Sequence, residues 1–252
     1  MSRLMRIGTL VVVAVVAAAA CVWGFTRGEP TPPPARSVDL DLSKLPDGPA
    51  PDRFGPDEPA AYSWKGEGDG LRPRVRGGRL ETAPQTTGAA ATYMTSRRLG
   101  AGIAEIGARW VFEAPVRPKG AAGRGAIALV VSDAIADGAA QPAPPFGLHL
   151  VVTAVNWNLA VKGRDAAQPL TVIAAGSFAS PLAEDGRTAN EIRVGIRGTT
   201  ATIEPPDGTR RVVTDARIGA WRGGHATFET YANHGASDSR GAFERVWAHG
   251  ER

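Results

Sequence analysis

Beyond residue 62, apolar and polar positions alternate with a period of two, in short runs bounded by Gly, Pro and Asp. Residues 103–113 show this best, with Ala104, Ile106, Ala108, Trp110 and Phe112 on one face and Glu105, Arg109 and Glu113 on the other. Successive side chains of a strand point to opposite faces, so this run predicts a half-buried β-strand. Residues 126–131 are continuously apolar, as a buried central strand is. Leu148, Leu150 and Val152 alternate with His149 and Val151, and Trp157, Leu159 and Val161 with Asn156, Asn158 and Ala160. Further strands are expected over 191–197 and 201–204, joined by Gly198-Thr199, and over 210–213 after an Asp207-Gly208 turn. Two more, 225–231 and 242–248, finish the chain, and only Asp215–Gly219 reads as a helical turn. Some ten to thirteen short strands without a long amphipathic helix predict an all-β, two-sheet antiparallel sandwich over 62–252, with a barrel as the alternative. Ile106, Trp110, Phe112, Leu148, Leu150, Ile192 and Phe228 are its expected core.

The first 61 residues follow other rules. Arg3 and Arg6 precede an uncharged apolar run from Ile7 to Phe25, closed by Arg27. At 1.5 Å per residue such a run just spans a hydrocarbon core of roughly 30 Å. Basic residues before it and Glu29, Asp39 and Asp41 after it favour an N-inside signal anchor over residues 1–25. Two alternatives stay open: a signal peptide cleaved near Ala18-Ala19-Ala20, and a lipoprotein with Cys21 lipidated. Each exports the rest of the chain, giving a single-pass membrane or secreted protein. Residues 26–61 hold nine prolines among scattered polar residues and predict a Pro-rich, unstructured linker.

Charge and cysteine content narrow the picture. Residues 62–252 carry 23 basic and 18 acidic side chains spread along the chain, so no clustered basic patch suggests nucleic acid. Cys21 is the only cysteine, so the exported domain has no disulfide and depends on core burial.

The order of these features resembles the concanavalin A-like lectin and glucanase jelly roll, a superfamily that includes laminin G-like domains, here as an exported, membrane-tethered bacterial domain. The carrying features are 70–82 with its Gly77-Gly78-Arg79-Leu80 turn, the 148–152 and 157–161 pair, the 192–203 hairpin with Pro206-Asp207-Gly208, and the terminal pair around Phe228-Glu229-Thr230-Tyr231 and 243–248. The resemblance implies two curved sheets whose concave face or rim loops bind glycans. Some members hydrolyse glycans, and many only bind.

Catalytic motifs are sparse. Retaining glucanases of this fold place carboxylates at i, i+2 and i+4 of one strand to hold them about 5–5.5 Å apart, and no E-x-D or E-x-E triplet occurs here. A hydrolase would need carboxylates from separate strands, with Glu113 and Glu229 as first candidates. His149, His225, His234 and His249 lack metal-ligand spacing, and neither a G-x-S-x-G elbow nor a phosphate-binding loop is present. No cofactor or metal is expected. Asp133 and Asp137 alone are too few for the six to eight oxygens of a laminin G-like Ca²⁺ site.

The aromatics offer a better lead. Sugar rings stack their C–H faces on aromatic side chains and satisfy their hydroxyls with polar partners. Of the six Trp, Trp110, Trp157 and Trp247 are phased with aliphatic neighbours and read as core, while Trp221 reads as an exposed loop residue. His149, expected to face solvent, joins Asn156 and Asn158 on one face, with Trp221 or Tyr231 as the stacking ring. The expectation is a tethered extracytoplasmic domain that binds a cell-envelope glycan or a partner protein without catalysis.

Overall fold

The computed structural model describes residues 36–55, 58–65, 73–81, 90–114, 125–133, 146–163, 169–221, 223–232 and 239–251. The leader, with Cys21, and residues 26–35 lie outside this set. Among the described residues no helix is long and apolar enough to cross a membrane.

Seventeen strands form among the described residues. They are β1 (Ser37–Asp41), β2 (Gly48–Pro49), β3 (Arg53–Gly55), β4 (Glu58–Lys65), β5 (Arg74–Arg76), β6 (Arg79–Glu81), β7 (Ala90–Ser96), β8 (Ile103–Phe112) and β9 (Ala126–Ser132). There follow β10 (Gly147–Val152), β11 (Asn156–Lys162), β12 (Thr171–Ser177), β13 (Ala189–Arg197), β14 (Thr200–Glu204), β15 (Arg211–Thr214), β16 (His225–Ala232) and β17 (Gly241–Gly250). A 3-10 turn, Leu42–Lys44, and one short helix, α1 (Ala216–Ala220), accompany them. Asp215 caps α1 by accepting from the Arg217 N–H, as an N-cap aspartate does.

The strands make two antiparallel sheets. A nine-stranded sheet runs β15-β14-β13-β8-β17-β6-β5-β2, with β1 also on β17; an eight-stranded sheet runs β12-β11-β10-β9-β16-β7-β4-β3. β8 and β17 meet β9 and β16 across the interior. The expected all-β sandwich is therefore present, and all seven expected core residues lie in its interior cluster. Trp110 and Phe112 pack edge to face there, with ring centres 5.9 Å apart. Tight turns fall where glycine permits a positive φ: Gly77 and Gly78 between β5 and β6, and Gly198 between β13 and β14.

Two expectations need correction. Much of the segment expected as an unstructured linker is part of the sandwich. Ser37–Asp41 pairs with Arg245–His249, burying Val38 and Leu40 while Asp39 binds Arg245 (Nε to Oδ1, 2.8 Å). Phe54 is buried too, 6.1 Å from Phe228. Prolines 46, 49 and 51 are accommodated by turns and the two-residue β2, and Pro59 by its place at the start of β4. The folded unit thus begins near residue 36, not 62.

Trp247 is the second correction. A bulge between Phe243 and Arg245 shifts the phase of β17, so Val246 and Ala248 face the interior and Trp247 faces outward. Its indole is buried by lying over Gly107 of β8, donating to Glu105 at 3.0 Å, with Arg245 5.4 Å from the ring centre.

Candidate functional site

In most antiparallel sandwiches the outer face of each sheet meets solvent. The eight-stranded sheet departs from this. Its inner face carries Ile127, Leu129, Leu148, Leu150, Trp157, Leu159 and Phe228. Its outer face is also buried along the central strands, and Ala126, Ala128, Val130 and Val151 form a second, separate apolar cluster there, with Tyr231 packed against it.

Cross-strand register builds the polar part of this face. Tyr93 of β7 stands opposite Glu229 of β16, Glu229 opposite Ala128 of β9, Ala128 opposite Val151 of β10, and Val151 opposite Asn158 of β11. The neighbouring row reads Thr95, Thr227, Val130, His149, Ala160. Thr95 and Thr227 share a hydrogen bond of 2.9 Å. A third row reads His225, Ser132, Gly147, Lys162, and both His225 and Lys162 are buried. An apolar floor of small side chains is therefore flanked by a carboxyl, a phenol, an imidazole, an amide and an amine.

The electrostatics are unusual for a sheet surface. Burial pushes the Glu229 carboxyl up to about 7, against the opposing effect of the hydrogen bond from Tyr93. Burial also raises both phenols, with the Glu229 charge adding to it; Tyr231 is pushed up to about 12. At neutral pH the pair can present both a donor and an acceptor.

The expected ligand residues divide. His149 and Asn158 do share this outer face, and Tyr231 lies on it. His149 is only 1% exposed, not solvent-facing, and the central strands of this face are buried around it. Asn158 and Tyr231 are half-buried. Asn156 has the same phase but works in the β10–β11 turn, where its Oδ1 accepts from Thr153 Oγ1 at 2.7 Å. Trp221 stands elsewhere: it closes α1 and packs against the sandwich interior. The exposed loop position expected for it is not what forms, since the one-turn helix folds its ring inward.

Glu113 and Glu229 do not flank a common groove. Glu113 follows β8 of the nine-stranded sheet and binds Arg240 at 2.7 Å, beside Glu81, while Glu229 projects from the outer face of the other sheet. Burial and the adjacent Glu113 carboxylate raise the Glu81 carboxyl. Hydrogen-bonded carboxyls are closer than the 5–5.5 Å of a retaining glycosidase pair.

Asp133 lies just past β9 and Asp137 lies outside the described residues. Among the described residues no group of three or more His, Cys, Asp or Glu is placed to hold a metal ion.

Tyr93 was not singled out from the sequence, nor was Lys162. The signal for Tyr93 was there: Ala91, Tyr93 and Thr95 alternate with Thr92, Met94 and Ser96, but without the aliphatic run that usually marks a strand.

No family model matches the chain, and no curated protein matches it either. Solved structures do. The carbohydrate recognition domain of Emp46p aligns at TM-score 0.51 and 11% identity, over 75% of this chain and 87% of that one. The legume lectin-like domain from Entamoeba histolytica aligns at 0.52 and 9%, over 74% and 89%. The exoplasmic/lumenal domain of VIP36, in a Ca²⁺/Man2-bound form, aligns at 0.52 and 8%, over 84% and 86%. At these identities the likeness is one of fold alone: the sandwich has the concanavalin A-like jelly-roll fold that these domains share.

Proposed function

We propose that this jelly roll is a non-catalytic glycan-binding module, held outside the cytoplasm by its N-terminal segment, that engages a cell-envelope glycan through the outer face of the eight-stranded sheet. The observation that supports this is the pair of half-buried side chains on that face, Asn158 and Tyr231, which a ligand can reach, set beside the buried apolar cluster and the buried Tyr93–Glu229 pair that fix the face behind them. A sugar needs both: its C–H faces bury against apolar or aromatic surface and its hydroxyls require fixed partners.

Tyr231 supplies an aromatic ring beside the floor, half-buried and so open to a ligand edge. Asn158 lies three strands away, about 14 Å at the usual interstrand spacing, a separation that suits two or three sugar units. The same fold serves the carbohydrate recognition domains of Emp46p and Emp47p, which lends the glycan class support. Export is inferred from the basic-flanked apolar run of residues 7–25.

A hydrolase gains no support from Glu113 and Glu229, which belong to separate sheets. A partner protein is the competing ligand class. Screening the chain from residue 36 onward against an array of envelope polysaccharides and oligosaccharides decides between them. Saturable binding that Tyr231→Ala or Asn158→Ala weakens supports the glycan; no binding to any glycan rejects it.

A further inference from the structure

Ion pairs lace the outer face of the nine-stranded sheet. Arg193 holds Glu204, its direct partner on β14, through Nε at 2.9 Å. Arg79 and Arg109 share Glu244, and Arg245 binds Asp39. The pattern breaks where the end of β13 meets β14 and the start of β8. Ile192, Val194 and Ile196 enter the interior there, so Arg193, Gly195 and Arg197 point outward along β13. Gly195 stands between Thr202 of β14 and Glu105 of β8, its direct partners on either side. A Cβ at Gly195 would meet nothing within 4 Å, so the sheet surface has a notch at this point.

The notch belongs to a groove of about 920 Å³ whose lining includes Glu105, Arg197, Thr202 and Arg210. Val212, opposite Thr202 on β15 and 61% exposed, extends this surface with an apolar side chain. The charges around the groove are unevenly satisfied. Glu204 is taken by Arg193, and Glu105 accepts from Trp247 Nε1 at 3.0 Å. Glu251 lines the end nearest β8, where its N–H bonds the Gly102 carbonyl. Arg197 and Arg210 are exposed, and among the described residues neither guanidinium makes a hydrogen bond or an ion pair. They stand on opposite sides of Thr202, Arg197 on β13 and Arg210 just before β15.

We propose that this groove is a second ligand site, separate from the outer face of the eight-stranded sheet, and that it takes a hexuronate unit of an acidic polysaccharide. A guanidinium fork matches a carboxylate with two parallel hydrogen bonds, which selects a charged sugar over a neutral one. The glycine notch admits the sugar ring. The Thr202 hydroxyl and the Glu105 carboxylate serve the ring hydroxyls, and Val212 gives its C–H face an apolar contact. A bare oxyanion would leave most of the 920 Å³ unfilled, so the volume favours the whole sugar.

The test is equilibrium binding of a fluorescently labelled galacturonate oligosaccharide to the full chain in non-ionic detergent, with the fully methyl-esterified oligosaccharide as the neutral control. The acid form should bind saturably, more weakly as salt rises, and the ester should not bind. Arg197→Ala and Arg210→Ala should each weaken binding about tenfold, as loss of a charged hydrogen bond does. Their melting temperatures should be unchanged, since both side chains are exposed. Gly195→Val should abolish binding by filling the notch, and it should fold normally because Gly195 has no positive φ and its Cβ has room. That variant separates a shaped site from general attraction to positive charge. The inference is overturned if the acid form does not bind, if the ester binds as well, if inorganic phosphate displaces the sugar mole for mole, or if the three variants bind like wild type. Binding lost in Tyr231→Ala instead would place the uronate on the eight-stranded sheet, overturning the second site while leaving the glycan reading of that sheet intact.

Discussion

The Tyr93 side chain of β7 hydrogen-bonds the carboxyl of Glu229, its direct partner on β16, on the sheet face that the sandwich interior does not use. A carboxyl so placed is costly to ionise.

This cost appears as pH dependence. The folded state holds the Glu229 proton up to about 7, against an ordinary value of 4.5, so it binds the proton more tightly than the unfolded chain does. The resulting stability is complete below pH 4.5 and is lost as pH rises through 7, by roughly 3 kcal/mol over the window. Glu81 adds to the trend in the same direction. Glu229→Gln keeps an acceptor for Tyr93 and has no proton to lose. Urea denaturation should find it more stable than wild type at pH 8 and closer to wild type at pH 4; equal pH profiles would contradict the placement.

Trp110 and Phe112 fill the interior between the sheets, both fully buried. Either residue changed to Ala should cost about 3–5 kcal/mol, a large part of a domain's stability. Among the described residues the buried Trp110 Nε1 has no hydrogen-bond partner, so Trp110→Phe removes an unsatisfied donor and should cost clearly less than Trp110→Ala. Denaturant midpoints of the three variants check this order.

Two glycines on neighbouring strands should respond in opposite ways. A Cβ at Gly107 would stand 2.2 Å from the Trp247 ring, so Gly107→Ala must displace the indole from Glu105 and should cost about 1–3 kcal/mol. At Gly195 a Cβ meets nothing within 4 Å, so Gly195→Ala should be neutral or slightly stabilising. Thermal melts that show equal losses would refute the packing described for Trp247.

The first strand supplies a further check. A chain beginning at residue 62 lacks β1, exposing the edge of β17 and losing the Asp39–Arg245 pair. It should be markedly less stable, or fail to fold, where a chain beginning at residue 36 melts cooperatively. Circular dichroism of the two truncations distinguishes them.

Strands from residue 103 onward are legible in the sequence because period-two alternation meets a one-sided core, as in Ile106, Ala108, Trp110 and Phe112. β1 has the same alternation, Val38 and Leu40 inward with Asp39 and Asp41 outward, but over five residues in a proline-rich setting. Composition outweighed pattern there. Trp247 was misphased because a bulge adds one residue to β17, which no local pattern announces. His149 has the expected phase, away from the sandwich interior, yet its burial is a tertiary property that alternation does not carry. For the same reason the candidate site is only partly legible: Asn158 and Tyr231 follow from alternation, whereas the Tyr93–Glu229 pair depends on which strands become neighbours.

The central claim is that the outer face of the eight-stranded sheet binds glycan. Calorimetric titration of an envelope oligosaccharide into the chain from residue 36 onward tests it, with Asn158→Ala and Tyr231→Ala beside wild type. Both side chains are half-buried, and neither belongs to the sandwich interior cluster, so the Asn158→Ala melting temperature should stay close to wild type. Each substitution should weaken binding about tenfold, near 1.4 kcal/mol. Saturable wild-type binding lost in both variants, with folding intact, is the predicted result. Binding that is undiminished in both, or that is weakened only by changes on the nine-stranded sheet, would contradict it.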